Sequence, residues 1–197
     1  MKYLRYVIVL ICLHAFVVTL QFPLICRHYP TKNNTGGLAL LHHFHSKVSN
    51  YSIAFGTALG YRRHRKLIPW DDDLDVVVPY FNRSWFTYPY CTCTFWGGWK
   101  LYRCDGIRTD YKWNYPFLDI FTSAQDSVTE EIMFPSIPIR MNGLSLQGPR
   151  NIGKHLRLKY GLRYMRDCLS PSWDHKNEHA LTVHNYSCRI VDKCLQN

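Results

Sequence analysis

Carboxylates are in short supply in this chain. Only 14 Asp and Glu stand against 24 Lys and Arg, and charged residues make up 19% of 197 residues. The deficit leaves a formal net charge of +10, which points to anionic partners: nucleic acid, acidic lipid headgroups, or phosphorylated small molecules and glycans. With 47% hydrophobic residues, so little charge excludes a disordered chain. No internal repeat and no low-complexity tract is visible, which excludes repeat arrays. The length has room for one domain with a real core and hardly for two. Cys91, Cys93, Cys104, Cys168, Cys188 and Cys194 lack the pair-plus-pair spacing of a zinc framework. As an even set in an oxidising compartment they read as disulfides of undetermined pairing, with buried free thiols as the alternative.

The N-terminus also lacks something: no small-residue cleavage site is obvious before Pro30. After Lys2 and Arg5 an apolar stretch runs from Tyr6 to Cys26, broken only by His14, Thr19, Gln21 and Pro23. Its length suits a single transmembrane helix. Residues 1–28 therefore read as a cytoplasmic tip and uncleaved signal anchor, with a cleaved signal peptide as the competing reading. Residues 29–37 read as a polar stem, and everything beyond is expected in a lumen. Glycosylation sequons at Asn33, Asn50, Asn82 and Asn185 suit that address.

Scarce as they are, the acids concentrate in one place. A turn at Gly56 and Thr57 is followed by a basic segment and then by Asp71, Asp72, Asp73 and Asp75, running into Val76, Val77 and Val78. In an extended strand Asp73 and Asp75 share a face while Leu74 and Val76 point into the opposite layer. Carboxylates held that close repel, and a divalent cation keeps both ionised. With only oxygen donors the ion is expected to be Mg2+ or Mn2+ rather than zinc. Gly56 admits a phosphate closely and Thr57 adds a hydroxyl. Arg63, between turn and acids, is a candidate phosphate clamp. The bland alternative for the acidic run is a solvated loop.

Elsewhere, Leu38 to Val48 has helical spacing, and His42 with His45 could meet a metal there, although a solvated helix face is the simpler reading. Tyr51 to Phe55 reads as a short strand and Ala58 to His64 as a helical turn. Trp99 to Cys104 is a strand after the Gly97-Gly98 break. In Tyr115 to Phe121 one acid, Asp119, interrupts an apolar strand pattern, and its burial requires a partner or a metal. Beside the strand bearing Asp75, Asp119 would complete a three-carboxylate cluster. Asp126 to Glu131 reads as a polar turn, and Met133 to Leu146 as short strands around an Asn142-Gly143 hairpin. Asn151 to Tyr160 reads as a helix with Gly161 as stop, its basic residues solvated or facing an anionic acceptor. Residues 176–197 read as an irregular, Cys-containing tail.

Gly56-Thr57-Ala58-Leu59-Gly60, Arg63-His64 and Ile68-Pro69-Trp70-Asp71-Asp72-Asp73-Leu74-Asp75 resemble the signature of the LicD family, which includes fukutin and fukutin-related protein. Phe117-Leu118-Asp119-Ile120-Phe121 resembles its second acidic motif, and Leu158-Lys159-Tyr160-Gly161 its C-terminal helix and Tyr-Gly element. The resemblance covers residues 38–175. It implies an α+β, nucleotidyltransferase-like fold of the polymerase-beta type: a mixed sheet flanked by helices, here behind a transmembrane helix. It also implies transfer of a phospho-alcohol, such as phosphocholine or ribitol phosphate, from a CDP-activated donor to a glycan or glycoprotein hydroxyl. Nucleic acid is not expected as a partner, and the implied address is a Golgi or endoplasmic reticulum membrane, single-pass type II. By the same resemblance Asp73, Asp75 and Asp119 are the catalytic metal ligands. Gly56 and Thr57 form the phosphate turn, Arg63 is a donor-phosphate contact, and Gly60, His64, Asp71 and Asp72 fall in the same substrate-binding set. A glycan-binding member without turnover, and a nucleotidyltransferase with another acceptor, are the alternatives.

Overall fold

A five-stranded mixed sheet carries the acidic segment. The computed structural model describes residues 2–31, 35–71, 73–82, 84, 91–96, 99–105, 108–109, 112–113, 117–122, 127–174 and 179–195. Helices α1 (Lys2–Cys26) and α2 (Thr35–Lys47) precede β1 (Ser52–Ile53), α3 (Phe55–His64) and β2 (Leu74–Val78). Next come β3 (Cys91–Trp96), β4 (Trp99–Asp105), β5 (Arg108–Thr109), β6 (Lys112–Trp113) and β7 (Phe117–Thr122). Helix α4 (Ser127–Met133), hairpin strands β8 (Ile137–Met141) and β9 (Leu144–Gly148), and α5 (Ile152–Tyr160) follow. The chain finishes with β10 (Asp167–Leu169), β11 (Trp173–Asp174), β12 (His179–Ala180), β13 (Asn185–Ser187) and α6 (Cys188–Cys194).

The sheet order is β1-β2-β7-β4-β3, with β2 and β7 parallel and the other neighbours antiparallel. Strand pleating divides the residues of β2 and β7 between two layers. Leu74, Val76 and Val78, with Leu118 and Ile120, join Leu41 and Phe44 of α2 in the main core. Val77 and Phe121 fall in a second cluster with Ala54, Phe55, Ile132 and Met133. The fold is thus a mixture of helix and strand around a mixed sheet.

Several expectations need correction. A bilayer requires about 20 consecutive apolar residues, and among the described residues no helix is long and apolar enough to cross a membrane. In α1 the apolar run is interrupted by His14, Thr19 and Gln21 and by Pro23 inside the helix. Its last turn is fastened to the domain by the Cys26–Cys194 disulfide. The transmembrane helix, and with it the single-pass type II placement in a Golgi or endoplasmic reticulum membrane, is therefore overturned. Tyr29, assigned to a polar stem, is 2% exposed and donates from its hydroxyl to the Cys168 carbonyl at 2.6 Å. The final segment is not irregular: β13 pairs with β10, and α6 is tied at both ends by Cys168–Cys188 and Cys26–Cys194. Cys26, set apart as a membrane-edge residue, is thus a disulfide partner. Residues 127–131, read as a polar turn, open α4, because Ile132 and Met133 bury its far end against Phe121. His45 Nδ1 lies 3.1 Å from the Tyr51 hydroxyl, which accounts for that histidine without a metal. The Asn142-Gly143 hairpin forms as its positive φ angles of 51° and 81° require. The Gly97-Gly98 break and the residues of the Asn33 sequon before Thr35 lie outside the described residues.

Candidate active site

The site is built where the first turn of α3 meets the beginnings of β2 and β7. Parallel register places Asp75 directly beside Asp119. Both are almost fully buried, 5% and 3% exposed, on the layer opposite Leu74 and Val76. The backbone around Asp75 is tightly held. Its amide donates to Thr57 Oγ1 at 2.8 Å, its carbonyl accepts from the Ala54 amide at 3.0 Å, and its carboxylate Oδ2 accepts from the Gly56 amide at 2.9 Å. The acceptor at the start of α3 is therefore the protein's own Asp75 side chain. An amide at a helix N-terminus is a suitable donor to such a group.

Asp71 reaches the same point from the loop before β2. A Cβ at Gly56 would overlap Asp71 Oδ2 and lie 3.3 Å from Asp75 Oδ2, so the bare glycine lets both carboxylates approach the helix. Burial pushes the Asp75 carboxyl well above its ordinary range. The neighbouring Asp71 and Asp119 add to the rise, and the Gly56 amide and Lys159 oppose it. Asp73 precedes β2 and is less buried than Asp75. Tyr160 of α5 lies within the field of these acids: burial raises its phenol first, then Asp75, Asp71 and Asp73.

The other residues singled out in the sequence sit differently. Arg63 Nε donates to the Tyr164 carbonyl at 2.8 Å, and its Nη2 to the carbonyls of Tyr164 and Asp167. The guanidinium thus clamps the chain after α5. Gly60 is buried, and a Cβ there would meet the Lys66 carbonyl at 2.6 Å, so it admits the return loop of α3. His64 is half-buried, and burial lowers its pKa. Asp72 lies outside the described residues. The structure therefore brings Gly56, Thr57, Asp71, Asp75 and Asp119 together, while Gly60 admits the return loop of α3 and Arg63 holds the chain after α5.

Three α5 residues come to the site: Lys159 and Tyr160, which fall in the stretch likened to the family's C-terminal element, and His155, which the sequence reading did not single out. Asn151 caps α5 by accepting from the Lys154 amide at 3.0 Å, and Gly161 ends it. His155, 7% exposed, accepts the Phe55 amide on Nε2 at 3.1 Å. Lys159 holds its Nζ 4.9 Å from the centre of the Phe55 ring. Tyr160 completes the set. The i, i+4 spacing of His155 and Lys159 was the available signal.

As placed, no three His, Cys, Asp or Glu side chains among the described residues are gathered to hold a metal ion. The donor chemistry nevertheless suits a hard divalent cation: Asp71, Asp75 and Asp119 offer oxygen alone. Asp75 is also held in a repulsive field that a cation relieves.

Residues 49–151, more than half of the chain, match the family described as LicD/FKTN/FKRP, nucleotidyltransferase domain. The lipopolysaccharide cholinephosphotransferase LicD of Haemophilus influenzae is 44% identical over 45 residues. That match covers 21% of this chain and spans 17% of the relative's length. The chain belongs to the LicD/FKTN/FKRP nucleotidyltransferase-domain family.

Proposed function

We propose that this protein is a divalent-metal-dependent transferase that moves a phospho-alcohol from a CDP-activated donor to a hydroxyl of a glycan. The observation that carries the reading is the convergence of Asp71 and Asp75 on Gly56, with Asp119 beside Asp75 in register. In a chain so poor in acids, Asp71 and Asp75 converge on one helix start with Asp119 on the neighbouring strand, and Asp75 and Asp119 are buried. Buried like charges are unfavourable in isolation, and a cation binding a donor pyrophosphate gives them a purpose. The name of the bacterial relative, a cholinephosphotransferase, agrees with a phospho-alcohol as the transferred group.

In this reading Asp75, Asp119 and Asp71 would hold Mg2+ or Mn2+. When bound, the ion would neutralise charge developing on the transferred phosphoryl group. Asp73, ahead of β2 and more open, would accept the proton of the attacking hydroxyl. The hydroxyl oxygen forms a bond to the phosphorus nearer the alcohol, the bond to the CMP oxygen breaks, and CMP leaves. The +10 chain supplies a field that favours an anionic donor.

The test is CMP release from a panel of CDP-alcohols, CDP-choline and CDP-ribitol among them, in Mg2+ or in EDTA, with and without glycan acceptors. Metal-dependent release from one donor, lost in Asp119→Asn, supports the reading. No release from any donor would overturn it. A second reading, a member that binds glycan without turnover, draws on Arg63 and the Gly56 amide being engaged within the protein. Glycan binding without CMP release would favour it.

A further inference from the structure

Phe55 adopts a positive φ of 35°, a left-handed conformation that a bulky side chain rarely takes. It stands at the junction between β1 and α3, where Ala54 supplies no side-chain cap. The first amides of a helix need acceptors from outside it. At α3 two of them come from distant parts of the chain. The Gly56 amide goes to Asp75 Oδ2, and the Phe55 amide goes to His155 Nε2 on α5, 100 residues away. The Phe55 ring is enclosed by the same neighbours: its centroid lies 4.7 Å from that of Phe121 and 5.4 Å from that of His155, with Lys159 Nζ against it.

We infer that His155 is a positioning residue for the acidic site, its Nε2 fixing the Phe55-Gly56 turn so that the Gly56 amide grips the Asp75 carboxylate. This rests on the proposed transferase reading only for its catalytic consequence. The chain of contacts itself is geometric. Accepting on Nε2 requires the neutral ring with its proton on Nδ1. If the imidazole were lost, Phe55 would have a buried amide without its acceptor and no reason to keep its left-handed conformation. The turn would relax, and Asp75 would lose the donor that orients it beside Asp71 and Asp119.

The decisive comparison is His155→Leu against His155→Gln in the full chain, since a Gln side-chain oxygen can take the place of Nε2. Three quantities are measured: Mn2+ affinity by calorimetry, the Gly56 amide resonance in a 1H-15N spectrum, and CMP release. His155→Leu is expected to shift the Gly56 amide and weaken Mn2+ binding about tenfold, while His155→Gln stays within about twofold of wild type on both. Equal losses in the two variants would reduce His155 to packing, and an unmoved Gly56 amide in His155→Leu would also overturn the inference. If His155→Leu does not fold, the imidazole 15N shifts of the wild type decide. A proton on Nδ1 with Nε2 accepting supports the role, and a proton on Nε2 refutes it. If wild type releases no CMP and binds no Mn2+, the transferase reading fails while the Gly56 amide still judges His155.

Discussion

At the scale of single residues, Gly56 and Asp75 carry opposed demands of folding and chemistry. Asp75 is buried beside two acids, so its ionised form costs stability whenever no cation is present. Asp75→Asn retains an oxygen for the Gly56 amide and removes the charge. In EDTA its melting temperature is expected to rise by about 2–4 °C, roughly 1 kcal/mol for a chain of this size. CMP release should fall about a thousandfold with several kcal/mol of lost charge stabilisation. A melting temperature that drops instead would show the carboxylate to be stabilising. Gly56→Ala makes the complementary case. The added Cβ overlaps the end of the Asp71 side chain and crowds Asp75 Oδ2 at 3.3 Å, while alanine suits a helix about 1 kcal/mol better than glycine. Chemical denaturation should therefore show near-wild-type stability alongside a clear loss of turnover. Arg63 shows where residue-level reading stops. Basic and adjacent to the acidic motif, it suggests a phosphate contact, yet its carbonyl partners are 101 and 104 residues away and leave no local mark in the sequence.

At the scale of elements, the legible parts were those whose periodicity or turn chemistry is local. The valine run of β2, the apolar pattern of β7, the Asn142-Gly143 hairpin, and α5 between Asn151 and Gly161 all follow from residues in contact along the chain. Helix α4 escaped because polar Ser127, Thr129, Glu130 and Glu131 fill most of its length, and its adjacent apolar pair, Ile132 and Met133, comes at its end. Helix α1 misled because apolar composition is shared by helices in lipid and helices elsewhere. The role of His155 was hidden for a different reason: its i, i+4 spacing to Lys159 puts both on one face of α5, but nothing local marks a histidine as the acceptor of another helix's amide. It does have a pH signature. Burial, then Lys159, lowers His155 from 6.5 to about 4, so the unfolded chain takes up its proton before the folded one. Stability from this group is complete above about pH 6.5 and is lost as pH falls through about 4. The loss amounts to about 3 kcal/mol. Urea midpoints at pH 7 and pH 4 should move apart in wild type more than in His155→Gln. Equal pH dependence in the two proteins would count against this origin.

At the scale of the whole molecule, two disulfides hold the end of α1 and both ends of α6 to the body. Cys26–Cys194 spans a sequence separation of 168 and Cys168–Cys188 one of 20. Closing loops of these lengths removes freedom from the unfolded chain, worth about 3–5 kcal/mol for either bond broken alone. Cys26→Ser is accordingly expected to lower the urea midpoint strongly, and reductant should do the same to wild type. A midpoint indifferent to reductant would mean that neither bond forms. Such bonds persist in oxidising surroundings, a condition to be met when the protein is produced for assay. The parallel pairing of β2 with β7 has a consequence in time. A ribosome delivers Asp75 first, Asp119 only after β3 to β6 have emerged, and His155 later still. A nascent chain therefore carries Asp75 with Gly56 and Thr57 before Asp119 and His155 arrive to complete their surroundings. On the proposed reading, capacity to bind a cation switches on late, as α5 clears the exit tunnel and docks.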